Sequence, residues 1–592
     1  MILYVGTALR FSRAARCGKA LKNNTKLASA AGCKPPVINL EYFRHTLPFP
    51  PADKDEYAMS SVAAPTVAAA RPSLDQKVSP GTILLFLLLL AIGVGYTGYS
   101  LINDVNRAMP HGLALLSFFL LFVALLIALG FEFVNGFHDT ANAVATVIYT
   151  HSLPPPVAVV YSGALNFFGV LLSSGAVAFG IISLLPVELI LQVGSSAGFA
   201  MVFALLIAAI LWNLGTWYLG LPASSSHTLI GSIIGVGVAN ALMHGRDGTS
   251  GVDWGQATKI GYSLLVSPLV GFVGAALLLL LLKVLVKNRD LYREPKGNRP
   301  PPWWIRGILI LTCGGVSFAH GSNDGQKGMG LIMLILIGVV PIAYALNRAM
   351  PAEKMVPFIA MATTTQRSLT DYSHGATLAD PRDTLSTYIR THKFNDDVIP
   401  ALASLTGSIA DQTRASGSFA RVPAENVTNV RNDMYLASEA IRVFNKDPHA
   451  KALGPEARAN LDAFKKQLDA ATKFIPPWVK VAVAIALGLG TMVGWKRIVI
   501  TIGERIGKTH LTYAQGACAE VVAMSTIAAA DMFGLPVSTT HVLSSGVAGT
   551  MAANGSGLQW GTVRNLAMAW VLTLPASIVL AGVLYWFFRQ IF

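Results

Sequence analysis

Two short polar phrases interrupt the apolar runs of this 592-residue chain and carry the side chains best suited to bind ions. The first phrase reads Gly136-Phe-His-Asp-Thr-Ala-Asn142 and the second reads Gly321-Ser-Asn-Asp-Gly-Gln-Lys327. Aligned on Gly and Asp, each places a carboxylate three residues before an amide or an ammonium group. Because polar groups at hydrocarbon depth are costly, a pair of such clusters indicates a functional site.

The spacing within each phrase suits a helix. Asp139 then shares a face with Asn142, and Asp324 shares a face with Lys327, since residues three apart are neighbours on a helix surface. His320 lies one turn before Asp324, where it could tune that carboxylate. Glycines near both phrases also permit a broken helix, whose freed backbone groups could be satisfied by a ligand or an ion.

A second pair of polar phrases also repeats along the chain. Gly220-Leu-Pro-Ala-Ser-Ser-Ser-His227 aligns with Gly534-Leu-Pro-Val-Ser-Thr-Thr-His541, and the match continues as far as Asn240 and Asn554. Hydroxyls and unpaired N–H groups at a helix start attract anions. Two such turns facing one another would suit a tetrahedral oxyanion, although simple helix capping is an alternative. The predicted ligands in these turns are Ser224, Ser225, Ser226, Ser538, Thr539 and Thr540.

The elements that position these residues must be membrane helices. The chain is 53% hydrophobic and 13% charged, with a mean hydropathy of +0.53, which is too apolar for an ordinary soluble protein. Runs such as Thr82–Ile102 and Gly112–Phe131 are long enough to cross a hydrocarbon layer of about 30 Å. The sequence therefore predicts an all-α polytopic membrane protein. Its two homologous repeats, related by inversion, would contain broken helices or re-entrant hairpins, with a soluble helical insert.

The predicted segments follow from these runs and from the loops between them. Residues 1–80 form a basic, low-complexity extension, 81–102 an extra transmembrane helix, 103–287 the first repeat, 288–303 a basic cytoplasmic linker, 304–347 the start of the second repeat, 348–475 the insert and 476–592 the rest of the second repeat. Translation from Met59 is favoured over an organellar transit peptide. The side of the insert is open, because long loops escape the positive-inside rule.

Charge and cysteine content limit the classes of partner and cofactor that the sequence predicts. The net charge of +14 resides in loops and at the amino end, as the positive-inside rule describes, so no nucleic-acid partner is expected. The four cysteines show neither metal-type nor disulfide-type spacing. We therefore expect no resident metal and no cofactor, while a homo-oligomer remains open.

Taken together, the phrases resemble the paired signatures of the PiT family of inorganic phosphate transporters, in particular its low-affinity bacterial Pit branch. The resemblance covers most of residues 112–590. The resemblance implies a multi-pass inner-membrane protein that takes up phosphate by cation symport. The similarity to the Pit branch in particular implies proton coupling. Phosphate could then travel as a neutral complex with a divalent metal such as Mg²⁺ or Ca²⁺. The phosphate-binding residues implied outside the turns are Asp139, Asn142, Asn323 and Asp324.

This chain departs from the family's commoner, sodium-coupled phrase Gly-x-Asn-Asp-x-x-Asn once in each half. His138 replaces the first amide in one copy, and Lys327 replaces the last amide in the other. An ammonium can stand where Na⁺ would neutralise the carboxylate, and imidazole titrates near physiological pH. Glu132 lies two turns before Asp139 on the same side of the helix. The candidate coupling residues are His138, Lys327, Glu132, His227 and His541.

Several alternatives remain open at the level of sequence. A sodium-coupled phosphate or sulfate symporter would use the same hydroxyl turns, but sulfate cannot bring a proton to Asp139 or Asp324 at neutral pH. A membrane enzyme acting on a phosphorylated lipid would not need two repeated half-sites, and a passive channel fits poorly with buried carboxylates. Asp139 and Asp324 could also be structural charges paired with Lys327, and His227 and His541 could simply brace the turns.

Overall fold

The computed structural model describes residues 72–74, 79–109, 113–185, 196–295, 297, 299–376, 378 and 380–591, without the side chains of residues 140–142 and 196. The described chain is helical, which confirms the prediction of an all-α polytopic membrane protein. Within it, seven helices are long and apolar enough to cross a membrane, or up to eight if one bent pair forms a single span. Most of the predicted amino-terminal extension lies outside the described residues.

The helices divide into two membrane halves and an insert. The first half contains α1 (Pro80–Ala108), α2 (Leu115–Tyr149), α3 (Pro155–Leu172), α4 (Ala176–Ile182), α5 (Ser196–Tyr218), α6 (Ser225–Met243) and α7 (Trp254–Leu285). The second half begins with α8 (Trp303–Val339) and α9 (Pro341–Tyr344). The insert contains α10 (Met355–Tyr372), α11 (Pro381–Thr391), α12 (Val398–Ser416), α13 (Ala424–Phe444) and α14 (Gly454–Thr472). The second half resumes with α15 (Pro477–Thr491), α16 (Lys496–Ile500), α17 (Tyr513–Met532), α18 (Thr539–Asn554) and α19 (Trp560–Phe588).

The extra helix α1 runs to Ala108, beyond its predicted end at residue 102. Asp104, which lies past the apolar run, accepts hydrogen bonds from the Tyr344 hydroxyl at 2.8 Å and from the Trp478 indole at 2.9 Å. Because these donors satisfy the carboxylate, the helix can continue past the residues of the apolar run.

The two motif helices, α2 and α8, run in opposite directions. Glu132, in the middle of α2, lies against Gly328 of α8. Arg306, near the start of α8, donates from its guanidinium group to the carbonyl of Ser152, just past the end of α2, at 2.8 Å. The carboxyl end of α2 therefore lies beside the amino end of α8. An inverted repeat requires this arrangement, and the inversion of the complete halves stays a prediction.

Glycines bring the motif helices into close contact with their neighbours. A Cβ on Gly136 would lie 2.4 Å from the Leu487 carbonyl oxygen of α15, and one on Gly321 would lie 2.2 Å from the Asn166 carbonyl oxygen of α3. Both α2 and α8 are continuous through the motifs, so the helix break considered there is absent. Since glycine lets two backbones approach, the motif glycines serve packing rather than helix breaking.

The chain reverses instead at the two hydroxyl turns. These turns join α5 to α6 and α17 to α18, and each begins at a glycine with positive φ, +68° at Gly220 and +63° at Gly534. Glycine adopts this left-handed backbone without steric strain. The turns meet, because the Ser226 hydroxyl donates to the Val537 carbonyl at 2.7 Å. The structure therefore contains two hairpins that touch at their tips.

The insert attaches to the end of the first hairpin. Arg442 of α13 pairs with Asp253, which caps the start of α7, at 2.7 Å, and it also pairs with Glu439 on its own helix. The insert follows the carboxyl end of α8, whereas the basic linker precedes the amino end of that helix. With the linker in the cytoplasm, as its charge predicts, we expect the insert on the outer face.

The electrostatics of this attachment depend on Glu439. Burial opposes ionisation of Glu439, but the neighbouring Lys473 and Arg442 cations outweigh that effect, so the pKa of the carboxyl is lowered from its ordinary value of 4.5. Because the folded-state pKa of Glu439 is lowered, the stabilisation that its ionised carboxylate contributes is fully present at neutral pH. This stabilisation is lost only as the pH falls through the folded-state pKa, which lies below the ordinary pKa.

Substitution of Gly136 tests the helix packing. Gly136→Ala is expected to lower the stability of the protein by about 1–3 kcal/mol, because the added methyl group would overpack the contact with Leu487. The midpoint of thermal unfolding in detergent measures the change. Gly130→Ala is the matched control on the same helix, since a Cβ at Gly130 meets nothing within 4 Å. Equal midpoints for the two variants would contradict the packing role of Gly136.

Substitution of Arg442 tests the attachment of the insert. Arg442→Ala leaves Glu439 buried beside Lys473 alone and is expected to destabilise the attachment by about 3 kcal/mol. Faster proteolysis within residues 348–475 would report the loss. Arg414→Ala removes an ion pair of the insert whose side chains are 54% and 76% exposed, so it serves as the control with an expected cost below about 1 kcal/mol. Proteolysis of both variants at the wild-type rate would show that the Arg442 pair does not hold the insert.

Candidate functional site

Asp139 lies where the two turns meet. Its carboxylate accepts hydrogen bonds from the Ser225 hydroxyl of the first turn, at 3.2 Å, and from the Thr540 hydroxyl of the second. Nδ1 of His138 lies 3.2 Å from the same carboxylate, and Nε2 of His138 lies 3.1 Å from the Thr216 hydroxyl oxygen of α5. All five residues are buried. Asp139 therefore links α2 to both hairpins.

Lys327 forms the second charged centre of the site. Its ammonium group, 0% exposed, lies 2.7 Å from Asp324 Oδ1 one turn earlier on α8. It also donates to the hydroxyl of Ser226 in the first turn. A buried charge is tolerated only when it is paired and hydrogen-bonded. Lys327 and Asp324 therefore compensate one another and fix the first turn to α8.

His320 connects the two carboxylates. Its Nε2 lies 3.6 Å from Asp324 Oδ2 and 3.8 Å from Asp139 Oδ2, while its Nδ1 lies 2.8 Å from Asn166 Oδ1. The Asn166 amide nitrogen donates to Thr491, so its oxygen faces the histidine and accepts from Nδ1–H. In the neutral imidazole, Nε2 then presents its lone pair to the carboxylates.

This arrangement could hold a cation. Asp139, His320 and Asp324 are buried, and one potential ligand atom from each lies within 4.8 Å of the others. Carboxylate oxygens and imidazole suit Mg²⁺, Mn²⁺ or Zn²⁺, and a proton on His320 would also fit the same space. His320 and Asp324 lie one turn apart on α8, and only the fold brings Asp139 of α2 to them, so sequence spacing alone indicates no more than part of this set.

Two of the predicted ligands cap helices. The Ser224 and Ser538 hydroxyl oxygens accept hydrogen bonds from the amides of His227 and His541, at 3.2 Å in both turns. These are helix caps of the ordinary kind, at the starts of α6 and α18. The capping alternative therefore describes the first hydroxyl of each turn, while Ser225, Ser226 and Thr540 contact the charged centres.

Asn323 braces the second turn. Its Nδ2 donates to the Leu535 carbonyl at 3.1 Å, and its Oδ1 accepts from the Val537 amide at 3.4 Å. Both halves of the amide are thus used by the protein, which makes Asn323 a positioning residue in this conformation. The side chain of Asn142, the predicted ligand in the first motif, lies outside the described part of the chain.

Three polar atoms at the tips of the hairpins are available to a ligand. The His227 and His541 rings lie 4.7 Å apart, and Trp570 packs on His541 at 4.3 Å. Nδ1 of His227, Nε2 of His541 and the Thr539 hydroxyl have no hydrogen-bond partner among the described residues. Buried polar atoms are normally satisfied. These three are therefore candidate contacts for an anion at the turns.

Glu520 is a buried carboxylate that the site prediction did not include. It lies on α17 and accepts hydrogen bonds from the hydroxyls of Thr146 on α2 and Thr312 on α8. It thereby connects the second hairpin to both motif helices. Its sequence signal is a carboxylate inside an apolar helix, the same signal that marks Asp139.

Two hairpins that meet over buried, compensated carboxylates are features of a membrane transporter with its binding site at the centre of the bundle. Residues 135–581 match the phosphate transporter family, and the chain belongs to that family. It is therefore a multi-pass phosphate transporter rather than an enzyme, and in bacteria such a protein lies in the inner membrane. The resemblance to the PiT family is confirmed.

The chain aligns with nearly the whole length of its named relatives. The chain is 42% identical to the low-affinity inorganic phosphate transporter PitB of Escherichia coli over 509 residues, which is 81% of this chain and 99% of PitB. It is 27% identical to a probable low-affinity inorganic phosphate transporter of Bacillus subtilis, over 78% of this chain and 96% of the relative. A solved structure, the sodium-dependent phosphate transporter, aligns with 80% of this chain and 100% of its own at 19% identity and a TM-score of 0.45.

Removal of Lys327 tests the charge compensation. Lys327→Met leaves Asp324 buried without its ammonium partner and is expected to destabilise the protein by about 3–5 kcal/mol. The Lys327→Met, Asp324→Asn double variant removes both charges and should recover much of that stability. Thermal unfolding in detergent compares the variants. Lys480→Met, which loses one hydrogen bond to the Ser173 carbonyl, is the control and should cost about 1 kcal/mol. A double variant as unstable as the sum of its parts would contradict the pairing.

Proposed function

We propose that the chain imports inorganic phosphate by proton symport. The observation that carries this proposal is the ion pair between Lys327 and Asp324, which is fully buried and hydrogen-bonded to the first turn. The resemblance places an asparagine, in the sodium-coupled phrase, where this chain has Lys327. A fixed ammonium supplies the positive charge that a bound Na⁺ would otherwise bring to the carboxylate. The coupling ion is then a proton.

Two histidines support the choice of proton. His138 and His320 both lie within 4 Å of the Asp139 carboxylate. Imidazole changes its charge near physiological pH, whereas a cation site built from amides does not. The proton can therefore be taken up next to the carboxylates that interact with the substrate.

We further propose that the cargo is phosphate together with a divalent cation. The Asp139, His320 and Asp324 set supplies the cation ligands, and the hydroxyls and helix starts of the two turns supply the phosphate contacts. Phosphate alone would be repelled by the two carboxylates, whereas a neutral metal–phosphate complex would not. The metal is substrate in this scheme, released with the phosphate.

Uptake by the purified protein in sealed vesicles tests the coupling. With an acidic exterior and no Na⁺, radiolabelled phosphate should accumulate, and collapse of the pH gradient should stop it. Chelation of Mg²⁺ and Ca²⁺ should lower uptake, and sulfate should compete poorly because it brings no proton at neutral pH. Strict dependence on Na⁺ would refute proton coupling, and uptake unaffected by chelation would refute the metal complex.

Asp139→Asn and Asp324→Asn serve as the site variants in the same assay. Each removes one carboxylate from the centre and is expected to lower uptake by about 100-fold. Asp324→Asn leaves the Lys327 ammonium buried without its counter-charge, at a cost of about 3 kcal/mol. Asp139→Asn weakens the acceptor that joins the hydroxyls of both turns. Asp411→Asn, at a carboxylate of the insert that is 76% exposed, is the control with the same chemical change. Normal transport by both site variants would remove the assignment of the site.

A further inference from the structure

Among the described residues, Glu132 is the buried carboxylate near the site that has neither a cation nor a hydroxyl donor in contact with it. It is fully buried on α2, and neither carboxylate oxygen has a hydrogen-bond partner of good geometry among the described residues. The nearest polar groups are the Asn135 side chain and the backbone of Gly328. An ionised carboxylate in such a place carries a large desolvation cost, whereas a neutral carboxyl group does not.

The other buried carboxylates of the described membrane helices are provided for. Asp139 accepts from the hydroxyls of both turns, and Glu520 accepts from two threonine hydroxyls. Asp324, like Glu132, has no hydrogen-bond partner of good geometry among the described residues, but it forms an ion pair with Lys327 at 2.7 Å. Glu132 has neither a cation at contact distance nor a hydroxyl donor in the described part of the chain. The contrast shows that its environment differs from those of the other three.

The position of Glu132 connects it to the charged centre. Its carboxyl group packs directly on Gly328, where an added Cβ would lie 2.5 Å from Oε1. Gly328 follows Lys327 on α8, and the charged groups that interact with Glu132 are Asp324 and Lys327. Because the Lys327 ammonium is already held by Asp324 and Ser226, it offers only partial compensation.

We propose that Glu132 is the residue that binds the coupling proton. A proton on Glu132 removes one negative charge beside Asp139 and Asp324, and this makes the site more favourable for an anion. By linkage, the bound anion raises the affinity of Glu132 for its proton by the same factor. Loss of the proton to the cytoplasm restores the carboxylate and expels the anion. This inference rests on proton-coupled phosphate transport as proposed above.

The position of Glu132 also explains why the residue after Lys327 is a glycine. Any larger residue at position 328 would displace the Glu132 carboxyl group, since the Cβ would meet Cγ at 2.3 Å. The close contact keeps solvent from the carboxyl group on the side of α8. A proton held there can leave only after the two motif helices shift relative to one another, which is the kind of movement that alternating access requires.

Glu132→Gln separates coupling from binding. The amide mimics the neutral carboxyl group but cannot release a proton. Exchange of external radiolabelled phosphate for internal phosphate at equal pH should therefore persist, whereas accumulation driven by a pH gradient should fall by at least about tenfold. Proton entry measured with an internal pH dye should no longer accompany phosphate.

The matched control is Glu504→Gln, which makes the same chemical change at a part-buried glutamate hydrogen-bonded to the Tyr149 hydroxyl at 2.7 Å. It should retain both exchange and gradient-driven uptake. If Glu132→Gln does not reach the membrane, Glu132→Asp decides, because it retains a titratable carboxyl group. It should keep phosphate-coupled proton entry with a displaced pH profile.

The outcomes separate the two proposals. Wild-type protein that shows no response to a pH gradient would overturn proton coupling itself. Wild-type protein that responds, with a Glu132→Gln variant that still accumulates phosphate and carries protons, would overturn only the role of Glu132. An unchanged pH profile in Glu132→Asp would overturn it as well.

Discussion

The structure depends on the need to place negative charge at the centre of an apolar bundle. Asp139 and Asp324 are buried at this centre, and each would be prohibitive alone. Asp324 is compensated by Lys327, one turn later on its own helix, whereas Asp139 requires the hydroxyls of Ser225 and Thr540 from two distant parts of the sequence. The hairpins must therefore penetrate until their tips touch. The same contacts bring the starts of α6 and α18 together at this centre.

Close helix packing makes this arrangement possible. Gly136 and Gly321 each meet the backbone of a helix from the other half, and Gly490 and Gly169 return the contact at Phe133 and Phe318. Such contacts lack side chains that could separate the helices, so the carboxylates on α2 and α8 come near one another. Hydrophobic packing between helices supplies little preference inside lipid, and small residues with good van der Waals contact take its place.

The two similar turns make different contacts in the two halves. Ser226 in the first turn contacts Lys327 and the opposite backbone, whereas Thr540, its counterpart in the second, donates to Asp139. The asymmetry follows from the residues at which the two motifs differ, because only one motif contains a lysine. A duplicated framework thus holds an asymmetric centre, in which one of the two motifs supplies an ammonium group and the other does not.

The sequence alone determined the membrane class, the repeated phrases, the family and most of the residues at the centre, because these depend on local composition and on spacing along one helix. Only the fold shows that Asn323 and the first hydroxyl of each turn make hydrogen bonds within the protein, and their role as phosphate ligands stays a prediction. Tertiary structure also decided that α2 and α8 are unbroken and antiparallel, that His320 joins the two carboxylates, and that the insert and the linker lie at opposite ends of α8. Above all, it showed that the Glu132 carboxyl group packs against Gly328 with no hydrogen-bond partner of good geometry among the described residues. Such facts join residues far apart in the chain, and no local pattern encodes the distance between them.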